Sequence, residues 1–261
     1  MISKIKQQQK HFNSVSMKYY NSRKSKRHLL YKKLLWEYFF IDKKLFDRTK
    51  EIHVLEPMCG YGEGKEIIEK NFSNKVIYEG FDYDDKLVKI AKRKYPQSII
   101  YKLDVIKFKP KKKYDVVIII GGLHHVFDYV NQIVKTVYNS LKPNGYFVSL
   151  EPTQNNFLFK KVRQIIYKKN PFFDENTEKA FDLNYLNTLF LKNRFSIIDQ
   201  SYPGLASYIL YYNPDVFPHL HIGGNLAVKS FFRFEKLFFR NIIGKKMSFA
   251  TLSLLQKKNN E

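Results

Sequence analysis

Cysteine is almost missing from this sequence, and other absences narrow its class further. The 261 residues include a single cysteine, Cys59, which excludes a scaffold of internal disulfides and indicates a reducing compartment. No apolar run approaches the roughly 18 residues of a membrane-spanning helix, and the polar first ten residues lack the apolar core of a signal peptide. Acidic residues are scarce, 24 against 46 lysines and arginines. We therefore expect a cytoplasmic protein with a large excess of positive charge.

This net charge of +22 is concentrated at one end of the chain. Residues 1–50 carry 14 basic and 3 acidic side chains, which is half of the excess in the first fifth of the sequence. Residues 51–150 are nearly balanced, with 16 basic and 12 acidic side chains, as suits a domain that binds a small molecule internally. Nucleic acid, an anionic membrane surface and a lysine-biased composition all stay open as explanations of the charge.

Short apolar runs alternate with amphipathic segments from residue 52 onward. Strands are predicted at Ile52–Leu55, Val76–Phe81, Ser98–Leu103, Tyr114–Ile120, Tyr146–Leu150, Arg194–Gln200 and Met247–Leu255. Helices are predicted at Glu63–Asn71, Asp84–Lys94, Asp128–Leu141, Phe157–Lys168 and Asn184–Leu191. The alternation predicts a three-layer α/β fold with a mostly parallel sheet. Residues 17–47 are predicted to be helical, so we expect a cap over 1–48 on a domain spanning 49–261, with 201–245 as an insertion.

A glycine cluster follows the first predicted strand, where α/β folds bind cofactors. Its spacing does not fit a P-loop, because Gly64-Lys65 is followed by Glu66 and the upstream glycine is one residue too close. The G-x-G-x-G spacing of Gly60, Gly62 and Gly64 fits a dinucleotide site poorly, and the acids in this loop would repel a pyrophosphate. S-adenosylmethionine, whose methionine end carries an ammonium and a sulfonium, is compatible with an acidic loop.

Two aspartates stand at the ends of the next two predicted strands. Asp82 follows Gly62 by 20 positions, where a carboxylate can accept both ribose hydroxyls. Asp104 ends the third strand, where a carboxylate can accept the adenine amino group. Either aspartate alone could equally be a helix N-cap. Together with Glu56 they place an acid after each of three consecutive strands, which favours the S-adenosylmethionine interpretation.

The sequence resembles the class I S-adenosylmethionine-dependent methyltransferases. The matching stretches are residues 54–62 (VLEPMCGYG), 80–84 (GFDYD), 103–105 (LDV), 114–118 (YDVVI), 122–125 (GLHH) and 141–145 (LKPNG), in the family's order. Residues 12–20 (FNSVSMKYY) resemble the lead-in segment of the branch that acts on small molecules, quinones and sugars. One departure is Met58, which stands where the family has its first glycine, after Pro57.

The resemblance implies a Rossmann-like, seven-stranded sheet whose last strand is antiparallel. It also implies that Glu56 and the Gly60 backbone face the methionine end of the cofactor, Asp82 the ribose, and Asp104 with Val105 the adenine. The full set of expected cofactor-binding residues is Glu56, Pro57, Met58, Gly60, Gly62, Asp82, Tyr83, Asp104, Val105 and Gly121.

Residues after the fourth and fifth strands are expected to surround the transferred methyl group. His124 and His125 are candidates for proton transfer, because histidine titrates near neutral pH. Glu151, and Tyr19 and Tyr20 from the N-terminal helix, are candidates for acceptor binding. We predict no metal site, since His219 and His221 have the spacing of two ligands on a strand without a clear third.

The insertion contains an amphipathic segment, 226–243, rich in phenylalanine and basic residues. Phe231, Phe234, Phe238 and Ile242 would share one face of a helix, with basic side chains beside it. Such a helix either packs on the core as a lid or lies against an anionic membrane, at the inner face of which the protein would then be peripheral.

The leading hypothesis is methyl transfer from S-adenosylmethionine to an oxygen of a small-molecule, glycan or lipid-linked acceptor. An RNA methyltransferase that uses the lysine-rich surface is a second hypothesis, and a non-catalytic cofactor-binding scaffold is a third. Nucleic acid is the less favoured partner. Gly-Gly-Leu-His at 121–124 also disfavours methylation of base amines in DNA, which often accompanies an Asn/Asp-Pro-Pro-Tyr/Phe motif there.

Overall fold

Seven strands form one sheet in the computed structural model, which describes residues 4–46, 50–72, 75–155, 179–215 and 218–258, together with 160, 161 and 164. The strands are β1 (Ile52–Pro57), β2 (Val76–Asp82), β3 (Ile99–Lys102), β4 (Tyr114–Ile120), β5 (Leu141–Pro152), β6 (Phe195–Ser201) and β7 (Ala250–Lys257). Their order in the sheet is β3-β2-β1-β4-β5-β7-β6, and β7 runs antiparallel to both of its neighbours. The predicted fold class is confirmed.

The strand order reverses between β1 and β4, which pair in parallel through Val54 with Val116 and Leu55 with Val117. Chain connections leave these two strands in opposite directions along the sheet, so a crevice opens beyond their carboxyl ends. The same edge holds the residues that follow β2, β3 and β5. The topology thus gathers at one place the side chains that the sequence pattern had singled out.

Helices cover both faces of the sheet. They are α1 (Lys4–Ser22), α2 (Lys26–Phe40), α3 (Glu63–Phe72), α4 (Asp85–Lys94), α5 (Val130–Ser140), α6 (Leu183–Lys192), α7 (Asn225–Glu235) and α8 (Ile242–Met247). Alternate residues of β4 serve opposite faces: Val116 and Ile118 pack with the α2 side, whereas Val117 and Ile119 pack with α5 and α6. Because β4 is buried from both sides, it is apolar at nearly every position.

The N-terminal cap differs from the single helix predicted over 17–47. Two helices, α1 and α2, are separated at residues 23–25. Ser25 adopts extended backbone, and its hydroxyl accepts a hydrogen bond from the His28 amide at 3.2 Å, so it starts α2 as an N-cap. A serine within an apparent helical pattern therefore marked a boundary.

The connection from β6 to β7 also differs from the prediction, because 226–243 is not one helix. The segment forms α7, a turn and α8, and the chain folds back tightly between them. A Cβ atom on Gly244 would lie only 1.8 Å from the carbonyl oxygen of Phe238, so only glycine fits at this contact. The predicted helix at Phe157–Lys168 lies almost wholly outside the described residues.

Candidate active site

A pocket of about 800 Å³ opens at the carboxyl edge of the sheet, at the β1–β4 crevice. The residues that line it come from α1 and from the loops after β1 to β4: Gln8, Gln9, Phe12, Tyr19, Glu56, Met58, Cys59, Gly60, Tyr61, Glu63, Asp82, Tyr83, Asp104, Val105, Ile120, Gly121, Gly122, His125 and Val126.

Left-handed backbone shapes the loop after β1. Gly60 and Gly62 have φ angles of 51° and 79°, and Met58 has a φ angle of 56°. This conformation costs a residue with a side chain about 1–2 kcal/mol. Met58 adopts it nevertheless, so the loop has left-handed backbone at this position in spite of the missing glycine. The Met58 thioether lies against Gly122, where a Cβ atom would come within 2.8 Å of the Met58 methyl carbon. Met58 thus connects the loop after β1 with the loop after β4.

Glu56 ends β1 with a buried carboxylate that fixes the start of α3. One of its oxygens accepts a hydrogen bond from the amide of Gly64 at 2.9 Å, and the other accepts one from the hydroxyl of Tyr78. Burial raises the pKa of Glu56 to about 8. A cation in the pocket would favour the ionised form of this carboxyl, so the site suits a ligand that carries positive charge.

Asp82 and Asp104 both line the pocket and both bind backbone amides. Asp82 accepts hydrogen bonds from the amides of Gly60 and Asp84, each at 2.9 Å, and burial raises its pKa to about 6. Asp104 accepts one from the amide of Ile106 at 3.1 Å. The N-cap role and the ligand-facing role considered for these aspartates therefore coexist at Asp104, since its side chain caps the turn after β3 while lining the pocket.

A carboxylate–imidazole pair, Glu151 and His124, lies next to the pocket residues Gly121, Gly122 and His125, although neither member of the pair lines the pocket itself. Oε2 of Glu151 lies 3.0 Å from Nδ1 of His124. The Glu151 side chain also accepts hydrogen bonds from the amides of Gly122 at 3.1 Å, Leu123 at 2.8 Å and His124 at 3.3 Å. Burial raises the pKa of Glu151 to about 7. Glu151 is fully buried, so it orients this loop rather than presenting itself to a ligand.

His125 follows in the same turn and lines the pocket directly. Its ring centroid lies 3.9 Å from that of His124. Nδ1 of His125 lies 2.6 Å from the amide nitrogen of Gln8. Because that nitrogen only donates, Nδ1 accepts and the ring proton of neutral His125 is on Nε2.

Helix α1 closes the pocket from the side opposite the sheet. The amide nitrogen of Gln9 donates a hydrogen bond to Oδ2 of Asp104 at 2.8 Å. The ring of Phe12 contacts those of Tyr83 and His125, with centroids 6.1 and 5.8 Å apart. One face of α1 thus reaches from the end of β3 to the loop after β4, across the whole opening.

Most of the expected site residues are brought together by the fold. Eight of the ten expected cofactor contacts line the pocket, and so do His125 and Tyr19. Tyr20 packs behind Tyr61 with ring centroids 5.3 Å apart, and Gly62 packs against the ring of Tyr95. Pro57 belongs to β1, where it pairs with Phe81. Their roles in binding stay predictions.

Four pocket residues were not expected from the sequence: Gln8, Gln9, Tyr61 and Glu63. The two glutamines lie in a polar stretch with no apolar periodicity, which gave no sign of a helix that crosses the sheet edge. Tyr61 and Glu63 stand inside the glycine motif itself, so the motif was the available signal for them. Glu63 is buried and pairs with Lys32, whose Nζ lies 3.2 Å from Oε1.

The described residues offer neither a metal site nor a membrane-spanning helix. Among them, no group of three or more histidines, cysteines, aspartates and glutamates is placed to hold a metal ion. No described helix combines the length and apolar character needed to cross a membrane.

The chemistry of the pocket fits S-adenosylmethionine. Three carboxylates, Glu56, Asp82 and Asp104, follow three adjacent strands along one wall. These are the three acids for which the sequence predicts contacts with an ammonium group, ribose hydroxyls and an adenine amino group, and the individual roles stay predictions. Phosphate groups are a poorer fit, because burial already disfavours negative charge along this wall, as the raised pKa values of Glu56 and Asp82 indicate.

Known proteins give the same result. Residues 55–147 match the family described as Methyltransferase domain. The chain superposes on an S-adenosylmethionine-dependent methyltransferase of Thermotoga maritima with a TM-score of 0.58 and 14% identity, covering 95% of this chain and 99% of the other. The cyclopropane synthase MmaA2 of Mycobacterium tuberculosis gives 0.59 and 10%, covering 85% and 83%. A further S-adenosylmethionine-dependent methyltransferase, from Listeria monocytogenes, gives 0.54 and 15%, covering 86% and 98%.

At these identities the structural likenesses show the fold, and the family match adds the methyltransferase assignment. Among curated proteins, no sequence matches the chain. Four of the six motifs quoted above, 54–62, 80–84, 103–105 and 122–125, contribute residues that line the pocket, and the other two lie in β4 and β5. Residues 55–147 therefore form a methyltransferase domain on a Rossmann-like fold, and S-adenosylmethionine is the cofactor that the family match and the pocket support.

Proposed function

We propose that this enzyme methylates an oxygen atom of a small-molecule, glycan or lipid-linked acceptor, and that His124 removes the proton of the acceptor hydroxyl. The observation that carries the proposal is the 3.0 Å contact between Glu151 and Nδ1 of His124. A carboxylate in this position keeps the ring proton on Nδ1, so Nε2 is the nitrogen that would accept a proton.

The placement of His124 supports this role. Its side chain is 12% exposed and lies beside Gly121, a pocket residue with left-handed backbone and a φ angle of 61°. A Cβ atom on Gly121 would lie 3.8 Å from Cε1 of His124, next to Nε2. The imidazole of His124 is therefore a neighbour of a residue that lines the pocket.

In the proposed reaction S-adenosylmethionine supplies an electrophilic methyl group bound to a sulfonium. His124 takes the hydroxyl proton on Nε2, and Glu151 stabilises the resulting imidazolium through Nδ1. His125 and Tyr19 line the pocket near this pair and hold the acceptor in place. Aligning the two reactants is the larger part of the rate gain in such a transfer. A hydroxyl acceptor needs a base, whereas a neutral amine can react before it loses a proton.

Transfer of labelled methyl groups tests the proposal. The purified enzyme is incubated with methyl-labelled S-adenosylmethionine and extracts divided into small-molecule, glycan, lipid and RNA fractions. We expect label in one of the first three fractions, bound to oxygen, with loss of transfer but unchanged cofactor binding in His124→Gln. Label in RNA, or on nitrogen, would contradict the proposal. Cofactor binding without transfer into any fraction would support the scaffold alternative instead.

A further inference from the structure

The outer face of the segment 226–247, here called the 226–247 surface, is unusually apolar. Of the 17 large hydrophobic side chains exposed among the described residues, seven belong to these 22 residues. They are Leu226, Phe231, Phe234, Leu237, Ile242, Ile243 and Met247. Leu226, Leu237 and Phe234 are 77%, 66% and 64% exposed. Clusters of this kind on a folded protein mark interaction surfaces.

The inner face of the same segment is fixed to the rest of the protein. Val228, Phe232 and Phe239 are buried, and the Phe232 and Phe239 rings contact Tyr38 of α2 with centroids 6.2 and 5.7 Å apart. The inner face of the segment alone therefore provides the lid-like packing that the sequence suggested. The exposed aromatic and aliphatic side chains are surplus to it.

The charges of this surface have one sign. The segment contains six basic residues, and its single acid, Glu235, is buried and accepts a hydrogen bond from the amide of Ser207. Lys229, Arg233 and Lys236 are exposed between the apolar side chains. Burial also raises the pKa of Glu235, which further reduces negative charge here.

We propose that the 226–247 surface binds anionic lipid headgroups and places the enzyme on a membrane. Apolar side chains enter the boundary between headgroups and acyl chains, and the lysines and arginines remain at the level of the phosphates. A lipid surface accounts for both properties together, since a soluble partner would need its own acids opposite each basic residue. The proposal concerns where the enzyme works and does not depend on the identity of the acceptor.

Flotation of the full-length protein with vesicles tests the surface. Vesicles of phosphatidylcholine alone are compared with vesicles that also contain phosphatidylglycerol. We expect the protein to float with the anionic vesicles and to lose this binding at high salt. The Debye screening length falls from about 10 Å at 0.1 M salt to about 3 Å at 1 M, which weakens attraction between the basic side chains and the headgroups. Recovery that is absent, or equal on both vesicle types, overturns the proposal.

Two double variants separate the contributions of the surface. Phe234→Ser with Leu237→Ser removes apolar contact, and Arg233→Glu with Lys236→Glu reverses charge; each should weaken partitioning at least about tenfold. Leu191→Ser with Lys192→Glu is the matched control, because Leu191 is 57% exposed at the end of α6. Cofactor binding by calorimetry verifies that each variant is folded. Unchanged recovery in the surface variants, or an equal loss in the control, contradicts the proposal.

Sedimentation distinguishes a lipid surface from a second copy of the chain. We expect a monomer whose mass is the same in the wild type and in Phe234→Ser with Leu237→Ser. A wild-type dimer that this variant dissociates would show that the surface is covered by the protein itself, and would overturn the membrane proposal.

Discussion

Nδ1 of His124 lies 3.0 Å from Oε2 of Glu151, whose carboxyl group is completely buried. The same carboxyl group holds the amides of residues 122–124. One side chain therefore fixes both the backbone of the loop after β4 and the orientation of its first imidazole. Two of the predictions below separate these effects from cofactor binding.

Glu151→Gln should lower kcat by about 10²-fold or more without changing cofactor affinity. Burial raises the pKa of Glu151 to about 7, so the wild-type rate should rise with pH through about 7 and then level off. The variant keeps an oxygen for the backbone amides but lacks the charge, and should lose this inflection. Steady-state kinetics over pH 5–9 measure both; an unaltered pH profile in the variant would refute the role.

The free energy of unfolding should also depend on the protonation of Glu151, but here the protonated form is the favourable one. The folded state keeps the Glu151 proton between the ordinary pKa of 4.5 and about 7, whereas the unfolded chain has already released it. The contribution of this group to the free energy of unfolding therefore falls as pH rises through that window. Urea denaturation at several pH values should give a flatter dependence for Glu151→Gln than for the wild type.

Asp82→Asn should weaken S-adenosylmethionine binding by about 10- to 100-fold, the loss of one to two charge-assisted hydrogen bonds. Burial raises the pKa of Asp82 to about 6, so wild-type affinity should decrease below that pH and the affinity of the variant should not. Calorimetric titration measures both. Asp85→Asn is the control, since this acid starts α4 on the exposed side. Equal affinities of Asp82→Asn and the wild type would exclude the ribose role.

Gln9→Ala should make the cofactor bind faster. The side-chain amide of Gln9 donates a hydrogen bond to Asp104 in the closed pocket. Loss of a hydrogen bond worth about 1 kcal/mol corresponds to an approximately five-fold change in the equilibrium between closed and open positions of α1. Stopped-flow binding measures the association rate. Gln7→Ala, which changes an exposed glutamine of the same helix, should leave the rate unchanged. Identical rates in both variants would mean that α1 does not limit entry.

Gly62→Ala should destabilise the fold far more than Gly60→Ala. Both positions have left-handed backbone, but a Cβ atom on Gly62 would lie 2.8 Å from the ring of Tyr95, whereas one on Gly60 meets only Leu87 at 3.8 Å. We expect a loss of about 1–2 kcal/mol for Gly60→Ala from the backbone alone, and a larger loss for Gly62→Ala. Similar unfolding free energies would show that the Tyr95 ring moves away.

Phe232→Ala should cost about 3–5 kcal/mol of stability and Phe234→Ala about 0.5 kcal/mol or less. The first side chain is 6% exposed and contacts Tyr31 and Tyr38, while the second is 64% exposed. Chemical denaturation of the two variants measures the difference. Comparable losses would mean that α7 packs through its other face.

The parts of the fold that the sequence predicted are those dictated by local pattern. The strand Tyr114–Ile120 was located to the residue because burial on both sides demands an unbroken apolar run. Asp82 and Asp104 were found because parallel strands end at one edge, so spacing along the chain becomes proximity in space. The positions of these acids in the pocket required no knowledge of side-chain contacts.

The remaining parts depend on contacts between distant segments. Gln8 and Gln9 became pocket residues only because α1 lies across the sheet edge, over 90 residues from their partners in sequence. The phenylalanines of 226–243 matched a helical period, yet α7 ends at Glu235 and a turn separates it from α8, where Gly244 packs against the Phe238 carbonyl. Periodicity reports which faces are apolar but does not report where the chain turns back on another segment.

The single cysteine also gives the enzyme a built-in chemical reporter. Cys59 lines the pocket, is 4% exposed, and has a thiol whose pKa is raised well above the ordinary value by burial. We expect alkylating reagents to reach this buried sulfur faster when α1 moves away, and bound cofactor to protect it. Because no second cysteine competes for the reagent, the labelling rate of the unmodified protein should report how often the pocket opens.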